Sequence, residues 1–151
     1  MPIIKLADAP IEEMTSETAD ALGPYRAHLL SDAGRLTQFG AFVEVLEPGS
    51  SSSDQHYHMT QDEFVYVLDG VVTLHEGDSS TDMRAGEAAT FKAGTPVGHC
   101  FENRSDQPAR YLVVGTRSDN DVVHYTQKDK VLTIKDGVRH LTDRKGNPIQ
   151  E

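Results

Sequence analysis

The chain has 151 residues, 37% of them hydrophobic, and this length is typical of one domain with a single core. Its formal net charge of −10 at pH 7 repels phosphate groups and anionic lipids, so we expect neither nucleic acid nor a membrane surface as a partner. The single cysteine, Cys100, excludes an internal disulfide, and the opening residues carry no apolar signal sequence, so we expect a cytoplasmic protein.

Residues 1–38 are predicted to be an N-terminal segment of the same domain. Within it, residues 10–22 predict a short helix, with Glu12 and Glu13 near its start and Gly23-Pro24 at its end. We therefore expect a helical or irregular segment ahead of a core that begins at Phe39.

The core, residues 39–117, is predicted to consist of short β-strands. Runs rich in β-branched and aromatic residues alternate with turn residues at the ~8–12-residue spacing of a β-sandwich or barrel. The predicted strands cover residues 39–46, 55–59, 64–68, 71–75, 88–92, 100–103 and 109–116, with Asp69-Gly70 as a tight turn and residues 76–81 as another turn. Residues 118–151 are predicted to hold one strand, residues 131–135, and a polar tail. The pattern has no crossover helix, which excludes the parallel α/β folds.

The stretch QHYHMTQDEF, residues 55–64, places two histidines and a glutamate close together. In an extended strand, residues i and i+2 point to the same face, so His56 and His58 project side by side. A bend over residues 59–62 would let Glu63 open the next strand on that same side, with Val65 and Val67 on its face. Two imidazoles and a carboxylate beside an apolar wall are typical of a metal site.

A fourth donor has to come from elsewhere in the chain. The candidates are His28, His75, His99, His124 and His140. His99 is favoured because it follows the Gly- and Pro-containing loop of residues 94–98 and opens an apolar stretch. His75 is expected to be an exposed turn residue, and His124 and His140 are expected to lie at the surface.

The spacing of these residues resembles the two motifs of the cupin superfamily. The first motif is matched by Gly49, His56, His58, Glu63 and Gly70, with one extra residue before His56. The second motif, Gly, five spacers, Pro-x-Gly, two spacers, His, three spacers and Asn, is matched by Gly86, Gly94, His99 and Asn103. Lys92 replaces the usual proline, and the loop before His99 is longer by two residues.

The resemblance implies an all-β jelly-roll β-barrel in which His56, His58, Glu63 and His99 hold one divalent metal ion. Nitrogen and oxygen donors without a thiolate suit Zn, Fe, Ni or Mn, and also Cu or Co, so the identity of the metal stays open. Four protein donors leave one or two positions for water or substrate if the ion is five- or six-coordinate.

Several neighbouring residues are assigned structural roles. Cys100 is expected to be a small buried hydrophobe that faces away from the metal, and Asn103 a turn residue that bonds to the backbone. Tyr57 and Tyr66 are expected outside the barrel. A phosphate-bearing substrate would need one of Arg35, Lys92, Arg104 and Arg110 in the pocket; Lys92 is the most interesting of these, and the alternative is that it is simply solvated.

Two functions fit the pattern. The first is a metal-dependent enzyme that acts on a small polar molecule by isomerase, lyase or dioxygenase chemistry, with a likeness to sugar-phosphate isomerases that rests on the fold alone and with its catalytic residues unassigned. The second is a non-catalytic sensor that binds a metal or a small ligand. In either case we expect a homodimer, because the outer face formed by Phe64, Tyr66 and Leu68 is too apolar to stay exposed.

Overall fold

The computed structural model describes residues 2–13 and 22–150, and β-strands make up most of the regular structure in these ranges. The strands are β1 (Ile11–Glu13), β2 (Tyr25–Leu29), β3 (Phe39–Leu46), β4 (His56–His58), β5 (Glu63–Asp69), β6 (Val71–Glu76), β7 (Ser79–Arg84), β8 (Ala88–Phe91), β9 (His99–Glu102), β10 (Ala109–Thr116), β11 (Asp121–Tyr125), β12 (Lys130–Lys135) and β13 (Val138–Thr142). A one-turn 3-10 helix (Leu6–Asp8) precedes β1, and the short helix α1 (Leu30–Ala33) follows β2.

The strands form two antiparallel sheets, which confirms the predicted all-β jelly-roll architecture. The first sheet has the order β1-β2-β3-β10-β5-β8, and the second has the order β13-β12-β11-β4-β9-β6-β7. In the first sheet, β10 pairs with β3 along the whole of Phe39–Leu46 and pairs with β5 on its other side. The order in the second sheet brings β4 beside β9, although about forty residues separate them in the chain.

Alternation along the strands decides which residues face the interior. The core is a cluster of buried side chains from both sheets: Leu46, Val65, Val67, Val72, Met83, Phe101, Ala109, Tyr111 and Val113. Burying each large side chain of this kind contributes roughly 1.5–3 kcal/mol relative to leaving it in water. The prediction that Val65 and Val67 lie on the same face of the strand as Glu63 is confirmed, because both valines are buried.

Two predicted turn residues fix the ends of the strands. Gly70 has a φ of +78°, and a Cβ at this position would lie 2.7 Å from the carbonyl oxygen of Pro108, so the Asp69-Gly70 turn requires glycine. Asn103 bonds to the backbone as predicted: its Nδ2 donates to the carbonyl oxygens of Leu46, at 2.8 Å, and Gln107, at 2.7 Å.

Three parts of the sequence-based assignment are wrong. Residues 76–81 were predicted to be a turn, but β7 begins at Ser79; it is a polar edge strand in which only Met83 is buried, so no apolar alternation marks it. The C-terminal segment holds three strands where one was predicted. Ile11–Glu13 is a strand paired with β2 where a helix over residues 10–22 was predicted, and residues 14–21 of that helix lie outside the described residues.

No helix within residues 2–13 and 22–150 combines the length and apolar character that crossing a membrane requires.

Candidate metal centre

The two histidines of β4 and the first residue of β5 come together at one end of the barrel interior. The chain bends over residues 59–62, so Glu63 returns to the side of His56 and His58. Nε2 of His58 lies 2.8 Å from Oε1 of Glu63, and Nε2 of His56 lies 3.9 Å from the same oxygen. One ligand atom from each of the three residues lies within 4.8 Å of the other two.

The pairing of β4 with β9 adds His99 to this cluster. His56 and His99 are direct partners across the two strands, and their ring centroids are 5.0 Å apart. Nε2 of His99 lies 3.2 Å from Oε2 of Glu63, so the two carboxylate oxygens face different imidazoles. The structure therefore groups the ligand atoms of His56, His58 and Glu63, and it places His99 beside them, in contact with Glu63.

The position of His99 depends on its neighbours. A Cβ at Gly98 would lie 2.9 Å from the methyl carbon of Thr126, so the absence of a side chain allows β9 to begin this close to the end of β11. The ring of Phe91 stacks on the His99 imidazole with centroids 3.6 Å apart and an interplanar angle of 8°. These contacts leave His99 only 3% exposed.

Hydrogen bonds at Nδ1 orient the two imidazoles of β4. Nδ1 of His56 lies 2.9 Å from the backbone oxygen of Asp54 and 3.2 Å from Oγ of Ser53. Nδ1 of His58 lies 2.6 Å from Oδ2 of the buried Asp121, whose other oxygen accepts hydrogen bonds from Thr60. Such partners at Nδ1 fix the ring orientation and leave Nε2 free to face the centre of the cluster.

The contacts within the cluster shift the pKa values of Glu63 and His58 in opposite directions. Burial alone would raise the pKa of Glu63, but hydrogen bonds from His58 and His99 lower it well below its usual range. Burial alone would lower the pKa of His58, but Glu63 and Asp121 raise it, whereas burial lowers the pKa of His56. Glu63 is therefore ionised throughout the physiological pH range, as a metal-ligating carboxylate must be.

The donor set fits a divalent metal ion. Donors bound about 2.1 Å from one ion lie roughly 3.0–3.4 Å apart in octahedral or tetrahedral geometry. The separations of 2.8, 3.2 and 3.9 Å between imidazole nitrogens and the carboxylate oxygens of Glu63 bracket these values. Three imidazoles and a carboxylate are also chemically suited to a borderline or hard divalent cation.

A cavity of about 410 Å³ opens from the cluster into the barrel. All four residues line it, together with inward-facing residues of β3 and β10 in the first sheet, among them Phe42, Glu44, Tyr111 and Val113. The volume lies within the range of small-molecule sites, and a mostly apolar wall with few polar groups is typical of them.

A second carboxylate, Glu44, lines this cavity from β3, in the same sheet as Glu63 and across from the three histidines. It is partly buried, and the exposure that remains is toward the cavity. The hydroxyl of Tyr111, which is fully buried, donates a hydrogen bond to Oε2 of Glu44. Burial raises the pKa of Glu44 to about 7, the hydrogen bond from Tyr111 opposes this rise, and the charges of Glu63 and Glu12 add to it. Glu44 is therefore poised to gain or lose a proton near neutral pH.

The other candidate residues lie outside the cluster. His75 was expected to be exposed in a turn, but it is half-buried on β6, with Nε2 2.8 Å from Oε1 of Glu102. His124 stacks on Tyr57 with ring centroids 5.0 Å apart, and His140 is exposed on β13. His28 lies on β2 and is not among the residues that line the cavity.

Cys100 and Lys92 lie close to the donors in the chain but differ in their surroundings. Cys100 is buried as predicted, and burial raises the pKa of its thiol to about 11, so the thiol stays protonated near neutral pH. Lys92 is exposed and borders a second, smaller cavity of about 190 Å³, which shares His58, Glu63 and His99 with the first.

Comparison with known proteins identifies the family. The family model of the cupin domain matches residues 42–115. The crystal structure of a sugar phosphate isomerase of the cupin superfamily from Silicibacter pomeroyi is 36% identical, with a TM-score of 0.91, over 99% of this chain and 97% of that chain. The chain belongs to the cupin superfamily. No curated protein matches it.

Two further structures are similar to this cupin over most of its length. A candidate sugar phosphate isomerase from Acidithiobacillus ferrooxidans is 25% identical, with a TM-score of 0.77, over 91% of this chain and 96% of that chain. A predicted oxalate decarboxylase from Thermotoga maritima is 20% identical, with a TM-score of 0.63, over 77% of this chain and 99% of that chain, and it supports the fold alone.

Sequence reasoning missed three residues that shape the site of this cupin: Glu44, Tyr111 and Asp121. A signal for Glu44 was present, since it is the one charged residue in the strand FGAFVEVL, on the same face as Phe42. Asp121 had no such signal, because it follows Asp119 and Asn120 in a polar turn, and only the pairing of β11 with β4 shows which of them faces His58.

Proposed function

We propose that this cupin is a metal-dependent enzyme that moves a proton on a small polar substrate, as an isomerase or lyase does. The observation that supports this most is the shared cavity: three imidazoles line it from one sheet, and Glu63 and the Glu44–Tyr111 pair line it from the other. Dioxygenase chemistry, which the sequence left open, does not by itself require such a proton-carrying pair.

His56, His58, Glu63 and His99 would hold one divalent ion, with Zn, Fe, Ni and Mn as candidates. When bound, the ion would act as a Lewis acid toward a carbonyl or hydroxyl oxygen of the substrate. Asp121 would keep the imidazole of His58 oriented through its hydrogen bond to Nδ1. Phe42, Val65 and Val113 would exclude water from the reacting atoms.

Glu44 would carry the proton. As a carboxylate it removes a proton from a carbon next to a carbonyl; the C–H electron pair forms a carbon–carbon double bond, and the displaced carbonyl pair moves to oxygen. In an isomerisation of a hydroxy-aldehyde or hydroxy-ketone, the protonated Glu44 returns the proton to the former carbonyl carbon; the hydroxyl on the other carbon loses its proton to become the new carbonyl, and the former carbonyl oxygen gains a proton to become a hydroxyl. In a lyase the electron pair leaves with the departing group. A pKa of about 7 suits both directions, because neither form of the carboxyl is scarce near neutral pH.

The relatives agree with this class of reaction. The protein from Silicibacter pomeroyi, which matches nearly the whole chain, is named a sugar phosphate isomerase. The name supports the class of chemistry and leaves the substrate open.

The test is proton exchange with solvent. Metal-loaded protein is incubated in D₂O with a panel of hydroxy-aldehydes, hydroxy-ketones and hydroxy-acids, and the exchange of C–H for C–D is followed by NMR. We expect exchange on at least one compound, lost in both His58→Ala and Glu44→Gln. A compound that binds the metal-loaded protein without exchange or turnover would instead favour the non-catalytic sensor.

We also propose a homodimer formed through the outer face of β5. Phe64, Tyr66 and Leu68 point away from the barrel and are 38%, 38% and 40% exposed. Leu112 and Val114, their pairing partners on the adjacent strand β10, extend the apolar surface. Light scattering should give twice the chain mass at micromolar concentration, and Tyr66→Glu should give monomer; a monomeric wild type would refute this assembly.

A further inference from the structure

We propose that the cavity takes an uncharged polar substrate and excludes phosphate esters, and that Asp32 enforces this choice by neutralising Arg117. The inference rests on the proposed function, because it names the substrate class of the same cavity. It concerns Asp32 and Arg117, which both line the cavity.

Arg117 is the one lysine or arginine that lines the main cavity among residues 2–13 and 22–150. The sequence outside these ranges contains neither residue type, so the whole chain has no further basic side chain to contribute. Arg35, Arg104 and Arg110, which were candidates to bind a phosphate, are absent from the cavity wall; Arg104 pairs with Glu102, and Arg110 pairs with Asp69. Recognition of a phosphate therefore depends on Arg117.

The guanidinium of Arg117 is already engaged. Its Nη2 forms an ion pair with Oδ1 of Asp32 and lies 3.3 Å from Oγ of Ser31, and its Nη1 donates to the backbone oxygen of Leu36 at 2.7 Å. Gly40 leaves space for the group, since a Cβ there would lie 3.4 Å from Nε of Arg117. A bidentate grip on phosphate would require the guanidinium to release these partners.

The charged residues that line the cavity also disfavour the binding of a phosphate. Three carboxylates, of Glu12, Asp32 and Glu63, face the single guanidinium of Arg117, and Glu44 adds a fourth when it is ionised. A divalent ion at the histidines would offset two of these negative charges, so the cavity would carry no net positive charge to attract an anion. Asp121, behind His58, adds a further negative charge that opposes an anion near the metal. A neutral ligand meets no penalty here, whereas a phosphate dianion does.

Lys92 offers the one alternative site for a phosphate near the donors. It borders the smaller cavity, on which Glu76 also lies, and it is exposed to solvent. A solvated ammonium beside a carboxylate attracts an anion weakly at physiological ionic strength. Its contribution is tested directly below.

The test measures the binding of inorganic phosphate and glucose 6-phosphate, with glucose as the uncharged reference, by titration calorimetry at pH 7.5. The proteins are metal-loaded wild type, Asp32→Asn, Asp32→Asn/Arg117→Gln and Lys92→Gln. We expect wild type to bind glucose 6-phosphate and inorganic phosphate no more tightly than it binds glucose. Asp32→Asn should bind both phosphate compounds at least tenfold more tightly than wild type does. The double variant should lose that gain, and Lys92→Gln should match wild type. Asp32→Ala is the second variant that removes the same carboxylate.

Two results would overturn the inference. One is tight phosphate binding by wild type that disappears in Arg117→Gln or Lys92→Gln; the other is unchanged phosphate affinity in both Asp32 variants. The metal content of each protein, measured in parallel, separates this inference from the proposed function. Wild type that holds no metal sinks the proposed enzyme, while a phosphate gain in metal-free Asp32→Asn still supports the role of Asp32.

Discussion

Two carboxylates that line the cavity, Glu63 and Glu44, lie in contrasting surroundings. On the donor wall, formed by His56, His58, Glu63 and His99, the carboxylate accepts hydrogen bonds from imidazoles, which lower its pKa. On the acid wall, formed by Glu44 and Tyr111, the carboxylate accepts one hydrogen bond from a neutral phenol, which lowers its pKa. Burial has the larger and opposite effect and raises the pKa to about 7.

The difference in pKa between Glu63 and Glu44 shows which carboxylate suits metal binding and which suits proton transfer. Glu63 stays ionised and surrounded by nitrogen donors, so it suits a metal ligand. Glu44 can hold or release a proton, so it suits an acid or base. Two carboxyl groups in one site whose pKa values are pushed apart are a general mark of divided catalytic roles.

Removing a histidine from the donor wall should have the largest effect. Wild type should carry close to one divalent ion per chain, and His56→Ala, His58→Ala or His99→Ala should empty the site, because each variant removes one imidazole donor and its share of the binding free energy. Elemental analysis after gel filtration measures this. Equal metal content in wild type and all three variants would place the metal elsewhere.

Removing the charge from the acid wall should leave metal binding intact and abolish proton transfer. Glu44→Gln should lower the rate of the exchange reaction by about 10²–10⁴-fold, the usual contribution of a general acid or base. Tyr111→Phe is the matched variant, which keeps the carboxylate but removes its hydrogen bond and should shift the pH profile of the rate to higher pH. If Glu44→Gln loses metal as well, the two walls are not separable.

Asp121 supports the donor wall through its hydrogen bond to His58. Asp121→Asn keeps the size of the side chain but weakens the hydrogen bond to Nδ1 of His58. Metal affinity should fall by about 10–100-fold, the typical effect of losing such a partner. Competition with a chelator of known affinity measures the change. Asp119→Asn, in the same turn but without this contact, is the control and should behave as wild type.

The smallest effect concerns stability and pH in the metal-free protein. The folded-state pKa of Glu44, about 7, exceeds its ordinary value, so its favourable contribution is fully present below the unfolded pKa and is lost as pH rises through 7. Glu44→Gln lacks this loss. Between pH 5 and pH 8 the variant should therefore gain on wild type by on the order of 3 kcal/mol in free energy of unfolding. Urea denaturation at several pH values measures the difference; parallel curves would mean that Glu44 titrates normally.

The donor wall could be predicted from sequence because its geometry is local. His56 and His58 share a face by strand alternation, and Glu63 needs a single bend to join them. His99 required the spacing of a second motif, since nothing local to it specifies that β9 lies beside β4.

The acid wall and the missed strands depend on tertiary contacts. Glu44 faces the cavity beside Tyr111 because β3 pairs with β10 in one register, and no local pattern states that register. β7 and β13 are mostly exposed strands, so they lack the apolar alternation that marked the buried ones. Asp121 and Asp32 act through partners more than sixty residues away in the chain.

The convergence of the four donors on one ion is tested most directly by anomalous diffraction from crystals of the metal-loaded protein, recorded on both sides of the metal's absorption edge. We predict a single strong peak per chain, about 2.0–2.3 Å from the Nε2 atoms of His56, His58 and His99 and from a carboxylate oxygen of Glu63. A peak elsewhere, or none in protein shown by elemental analysis to hold metal, would contradict the account.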